Sequence, residues 1–188
     1  MSEINLRQLR VAILSGENFE ESELIEPRKA LQAAEAKVVV VSPKPGKIRG
    51  VKHDEKGQEV YVDLVLDQAD PNDFDAVMLP GGALNADSLR MEPKVQEFLH
   101  RIEHARKPMA VICHAPWLLI SAGLVKGRTL TSYHTIQDDI RNAGGKWVDR
   151  AVVLDRNWVT SRQPSDIPQF NEAMVGLFGE RKGMAQGA

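Results

Sequence analysis

The sequence predicts an α/β fold in which a mostly parallel central sheet carries helices on both faces. Two observations predict it. Short apolar runs alternate with amphipathic segments along nearly the whole chain, the pattern of successive βα units. One of those runs, Val38-Val-Val-Val41, is β-branched and apolar at every position, as suits a central strand covered on both sides.

Element by element, Val11-Ala-Ile-Leu14 reads as the first strand, followed by a loop and a helix over residues 22–36. Residues 38–41 form the next strand. From Lys44 to Asp70 the pattern changes: Pro45, Gly46, Gly50 and Gly57 punctuate short polar–apolar alternations, which predicts small antiparallel strands. Residues 75–79 make a buried strand ending in Pro80-Gly81-Gly82, and a helix covers 93–105. Met109-Ala-Val-Ile112 is the strand that delivers Cys113, and residues 116–122 form a short helix closed by Gly123. Beyond it come a strand over 129–133, a helix over 136–143 stopped by Gly144-Gly145, and strands within 146–159 that turn at Asp155-Arg-Asn157. A last helix covers 167–178, with frayed residues after it. No repeat, low-complexity tract or linker interrupts this order, so one domain over 1–188 with a core of about 9–178 is expected.

A net charge of −2, spread evenly, offers no phosphate-binding surface, so no nucleic-acid partner is expected. The one local excess is acidic, five glutamates between Glu17 and Glu26. The only cysteine excludes an intramolecular disulfide, the amino-terminus has no apolar signal segment, and the apolar runs are too short to cross a bilayer. A cytoplasmic protein with no membrane role is the expectation. His53, His100, His104 and His134 lack ligand spacing, so neither a metal nor a cofactor is expected.

Cys113 carries the chemistry. A thiol becomes a good nucleophile only when ionised, and a helix amino-terminus favours the thiolate through its dipole and its free N–H groups. Where a strand turns sharply into a helix, the sulfur projects above the carboxyl edge of the sheet, as at a nucleophile elbow. A lone cysteine at a strand end can equally be a small buried hydrophobe. The polar His114 that follows it favours the functional reading.

Phe19-Glu-Glu-Ser-Glu-Leu-Ile-Glu-Pro27, Phe74-Asp-Ala-Val-Met-Leu-Pro-Gly-Gly82, Ile112-Cys-His-Ala-Pro116 and Thr160-Ser-Arg162 occur in the order found in PfpI-type members of the DJ-1/PfpI superfamily. The chain resembles that family from Val11 to about Leu177. The resemblance implies a flavodoxin-like three-layer sandwich of the class I glutamine amidotransferase-like kind. It implies that Glu23 reaches the cysteine, and that the backbone N–H groups of Gly82 and His114 form an oxyanion site. It also implies that His114 is oriented by an acid from a neighbouring subunit. Asp87 is the best match to that acid, in a loop (residues 83–87) one residue longer than usual. Tyr133 and Arg162 match positions bordering the pocket, and Arg162 would pair with an anionic substrate group or form a structural salt bridge. Glu17, Glu20, Glu21 and Glu26 are expected in solvent, and Trp117 and Trp147 in packing. Ala115 and Val111 stand where relatives carry glycine and a small residue, which predicts narrowed access to Cys113.

The functions implied are a stress-response enzyme acting on reactive carbonyls (glyoxalase or deglycase type), a cysteine hydrolase or peptidase, or a sensor of oxidative stress through Cys113. The partners implied are a small-molecule or protein-adduct carbonyl substrate and further copies of the chain, as a dimer or higher oligomer. A glutamine amidotransferase is disfavoured, because Arg162-Gln-Pro-Ser-Asp166 has no His-x-Glu.

Overall fold

The computed structural model describes residues 4–52 and 55–185. In chain order the strands are β1 (Arg10–Leu14), β2 (Phe19–Glu20), β3 (Lys37–Ser42), β4 (Lys47–Lys52), β5 (Glu55–Tyr61), β6 (Leu64–Val65), β7 (Ala76–Leu79), β8 (Met109–Ile112), β9 (Thr129–Leu130), β10 (Lys146–Trp147), β11 (Val152–Asp155) and β12 (Trp158–Ser161). The α-helices are α1 (Glu21–Ala33), α2 (Ala83–Arg90), α3 (Pro93–His104), α4 (Pro116–Ser121), α5 (Gln137–Asn142) and α6 (Ile167–Ala185). Seven strands make the central sheet in the order β11-β12-β8-β7-β1-β3-β6, parallel throughout except for β11 at one edge.

The two-residue side-chain period of a strand explains the three layers. Ala12, Leu14, Val77, Leu79, Met109 and Val111 face one core, shared with Leu89, Phe98, Ile102 and Leu118 of α2, α3 and α4. Their alternates Val11, Ile13, Ala76, Met78, Ala110 and Ile112 face a second core, shared with Leu24 and Leu31 of α1 and Phe170 and Met174 of α6. Both faces are covered, as the all-apolar strands require. On α3, Val95, Phe98, Leu99 and Ile102 repeat at helical spacing and are all buried.

Several boundaries differ from the sequence reading. Residues 83–87 are not a loop: they open helix α2, which follows Gly82 (φ 91°) and buries Asn85, Ala86 and Leu89. Asn, Asp and Ser favour turns locally, and the burial of one face outweighs that preference here. The strand expected over 129–133 is only Thr129–Leu130, paired with β10 in a separate small sheet. The final helix does not stop near Phe178 but continues to Ala185. The antiparallel strands expected between 44 and 70 are the β4–β5 hairpin, which β2 extends to a three-stranded sheet. Among the described residues no helix is long and apolar enough to cross a membrane.

Candidate active site

Cys113 stands between the end of β8 and the start of α4, with φ at 63°. A side-chain-bearing residue held in this left-handed region costs on the order of 1–3 kcal/mol, so its surroundings must enforce it. They do so on both sides: the Cys113 N–H donates to the Ser161 carbonyl at 3.1 Å, and its carbonyl accepts the Tyr133 N–H at 2.9 Å. The side chain stays buried at the rim of the second core, 6% exposed, and borders a cavity of about 810 Å³ at the carboxyl edge of the sheet.

Glu23, from the first turn of α1, is completely buried beside the sulfur. Its Oε2 accepts the Gly81 N–H at 3.0 Å. Oε1 has no hydrogen-bond partner among the described residues, and the carboxyl lies beside Cys113, both crowding the Gly81 position. Burial pushes the Glu23 carboxyl up to about 8, and the nearby charge of Glu20 adds to the rise, while the contacts with Cys113 and Gly81 oppose it.

The Pro80-Gly81-Gly82 turn admits no side chain. A Cβ on Gly81 would stand 2.5 Å from Cys113 Cβ and collide with Glu23 Oε2, and one on Gly82 would stand 2.5 Å from the Asn18 carbonyl oxygen. This close approach lets the Gly82 N–H, together with the His114 N–H, point at the sulfur. The resemblance implied both of those donors. The expectation that a helix start would lower the thiol pKa does not hold as stated. Burial, and then the charge of Glu23, push the Cys113 thiol well up, and the Gly82 and His114 amides only oppose that rise. Helix α4 is a six-residue element and supplies little dipole.

His114 Nδ1 lies 3.1 Å from Cys113 Sγ, and Nε2 lies 3.4 Å from Thr135 Oγ1. The ring stacks on Tyr133 at 4.9 Å between centroids and meets Trp117 at 5.3 Å. Burial first, then His134, lower the His114 pKa, so the ring is neutral near pH 7 and able to accept a proton. Trp117, assigned to packing, thus also walls in His114, and its Nε1 donates to Asp139 at 2.7 Å. His100, His104 and His134 are exposed, and His53 lies outside the described residues.

Gly82, Glu23, Cys113, His114 and Tyr133 all line the one cavity. Two expected residues do not. Arg162 donates to Asp166 at 2.8 and 3.0 Å and to Asp149 at 2.7 Å, which makes it a structural ion pair and not a border of the cavity. Asp87 is exposed on α2 and lines no part of the cavity of its own chain. Val111 and Ala115 pack into the core under α2 to α5, so neither narrows the way to the sulfur.

Sequence reasoning missed the rim. Glu20, expected in solvent, lines the cavity with Asn18, Val51, Lys56, Gln163, Pro164 and Ser165. Glu17 and Glu21 are not simply solvated either. They accept the backbone N–H groups of Arg49 at 2.9 Å and Gln58 at 2.6 Å, which fastens the β4–β5 hairpin beside the site. Only the long-range pairing of this hairpin with the first loop reveals those roles, and no local pattern encodes it.

A strained cysteine on a parallel sheet edge, with a buried carboxyl and two amides against its sulfur, defines an α/β protein of the cysteine-elbow class. The chain belongs to the DJ-1/PfpI family, whose model matches residues 9–177. It is 45% identical over 170 residues to Deglycase TK1284 of Thermococcus kodakarensis and 44% identical over 170 residues to Deglycase PfpI of Pyrococcus furiosus; each alignment covers 90% of this chain and 99% of the relative. Among solved structures it is similar to a two-domain protein of Anabaena variabilis with DJ-1/ThiJ/PfpI-like and ferritin-like domains (TM-score 0.86, 33% identity). That match covers 92% of this chain and 48% of the other, so the chain spans about half of the two-domain protein.

Proposed function

We propose that this chain is a cysteine-dependent deglycase, which releases amines from their early adducts with α-oxoaldehydes such as methylglyoxal. The observation that carries the reading is the placement of a buried carboxyl and two backbone N–H groups against one sulfur. The names of the relatives at 45% and 44% identity, both deglycases, support the reaction type.

Three donors bear on where the negative charge rests. The Gly82 and His114 amides face the sulfur, whereas Glu23 receives the Gly81 amide alone and is further disfavoured as an anion by Glu20. Below about 8 Glu23 is protonated and its charge no longer opposes ionisation of the sulfur, so a thiolate formed there, against the cost of burial, accepts from the Gly82 and His114 amides and from the Glu23 carboxyl. The sulfur then bonds to the hemiaminal carbon, the C–N bond breaks, and the amine leaves with the proton of Glu23. The resulting hemithioacetal passes through an enediol when a proton moves from its carbon to the neighbouring carbonyl carbon, giving a lactoyl thioester. The Gly82 and His114 amides stabilise the oxyanion as water attacks that thioester. Hemiaminal and water become amine and lactate, with no external oxidant or reductant.

A homo-oligomer fits this reading. Helix α2 exposes Leu84, at 63%, and Asp87 beside the cavity, and Met91 just beyond it is 75% exposed. His114 Nε2 lies 3.4 Å from Thr135 Oγ1, and in this reading Asp87 of a second copy orients the ring.

The test is lactate release from methylglyoxal-treated Nα-acetyllysine, with the parent and Cys113→Ala side by side. Stoichiometric lactate and free amine from the parent alone support the proposal. Equal rates for the two proteins, or casein cleavage without lactate, overturn it.

A further inference from the structure

Asn85, in the first turn of α2, is 1% exposed, and among the described residues its side chain bonds to backbone groups. Its Oδ1 accepts the Gly16 N–H at 2.8 Å. Its Nδ2 donates to the carbonyls of Pro80 at 3.2 Å and Gly81 at 3.0 Å. These groups belong to the two loops that build the site. Gly16 opens the segment that leads from β1 to Glu23, and Pro80-Gly81-Gly82 carries the amides that meet Glu23 and Cys113.

We propose that Asn85 is the positioning residue that aims those two amides. A trans peptide is a rigid plane whose C=O and N–H point in opposite directions, and the described residues contain no cis peptide. The Pro80 carbonyl and the Gly81 N–H belong to one such plane, the Gly81 carbonyl and the Gly82 N–H to the next. Fixing both carbonyls on Nδ2 therefore turns the far end of the first plane toward Glu23 Oε2 and the far end of the second toward the sulfur. The glycines have no side chains to hold these planes, and Gly82 sits at φ 91°, so the aim has to come from outside the turn. The Glu20 N–H adds a weaker hold on the Gly81 carbonyl at 3.3 Å. Through Gly16, the same amide fixes the two loops against each other.

The inference rests on the amides acting on the sulfur, as the deglycase reading also requires, but its test uses no substrate. The rate of Cys113 alkylation by iodoacetamide is measured across pH, together with thermal unfolding, for the parent, Asn85→Asp and Asn85→Ala. Asn85→Asp keeps the acceptor for Gly16 and removes both donations. A folded Asn85→Asp protein is expected to react at least about tenfold more slowly near neutral pH, with its pH midpoint moved upward, because a hydrogen bond to a charged group is worth about 1.5–3 kcal/mol. Asn85→Ala reads the same quantity if the aspartate variant does not fold. A variant that melts at lower temperature but keeps the rate and pH profile of the parent would make Asn85 merely structural and overturn the proposal. Slow alkylation alongside absent lactate release in the parent would sink the deglycase reading and leave this one standing.

Discussion

Glu23 Oε2 accepts the Gly81 N–H at 3.0 Å while the rest of the carboxyl faces the Cys113 thiol, so one buried acid joins the turn after β7 to the elbow after β8. Burial raises the pKa of both partners, and neither can be charged without penalising the other. The site therefore works as a unit that shares protons, and the predictions below follow from that.

The first concerns stability. Folding raises the Glu23 pKa from 4.5 to about 8, so between those values the folded chain holds a proton that the unfolded chain has released. Stability attributable to Glu23 is full below pH 4.5 and declines as pH climbs toward 8. Glu23→Gln removes this dependence. Chemical unfolding should find it more stable than the parent by roughly 3 kcal/mol at pH 7, at about 1.4 kcal/mol per pKa unit. The two should converge near pH 4.5.

Gly81→Ala tests the close approach. The added methyl would press on Cys113 Cβ, the Glu23 carboxyl and the Ile112 carbonyl oxygen. Overpacking of this kind costs about 1–3 kcal/mol, read by urea unfolding. Lactate release should fall at least about 100-fold, the scale of losing an oxyanion donor.

Arg162→Leu should separate scaffold from chemistry. It leaves Asp166, whose side chain is 8% exposed, without its cation. A loss of about 1–3 kcal/mol is expected in thermal or urea unfolding. Cys113 alkylation should stay within about twofold of the parent, a change worth less than about 0.5 kcal/mol.

Asp87→Ala should lower lactate release if the acid acts across a subunit boundary, and mixing it with Cys113→Ala should restore part of the activity. Each mixed interface would then pair an intact cysteine with an intact acid. Full activity of Asp87→Ala on its own would make this residue a solvated helix position.

Much of this was legible in the sequence, for physical reasons that differ by residue. Cys113 could be placed because a buried parallel strand must end at the sheet edge, whereas Glu23 and Gly82 were reached only through the resemblance of their motifs to those of PfpI-type proteins. Helix α2 was hidden because Asn85, Asp87 and Ser88 favour turns, and only the burial of Asn85, Ala86 and Leu89 makes the segment a helix. The partners of Arg162 lie 4 and 13 residues away, close enough for an ion pair that no local pattern distinguishes from a substrate contact. The thiol shift was misjudged because the helix start was visible in the sequence and the degree of burial was not.

The most direct test of the shared proton is the thiolate absorbance and iodoacetamide reactivity of Cys113 against pH, in the parent and in Glu23→Gln. If Glu23 is the protonated donor beside a thiolate, its neutral amide replacement should leave reactivity near pH 7 within a few-fold of the parent. A variant at least about tenfold more reactive than the parent, equivalent to 1.4 kcal/mol, would show that an ionised Glu23 had been holding the thiol protonated, and would contradict the account.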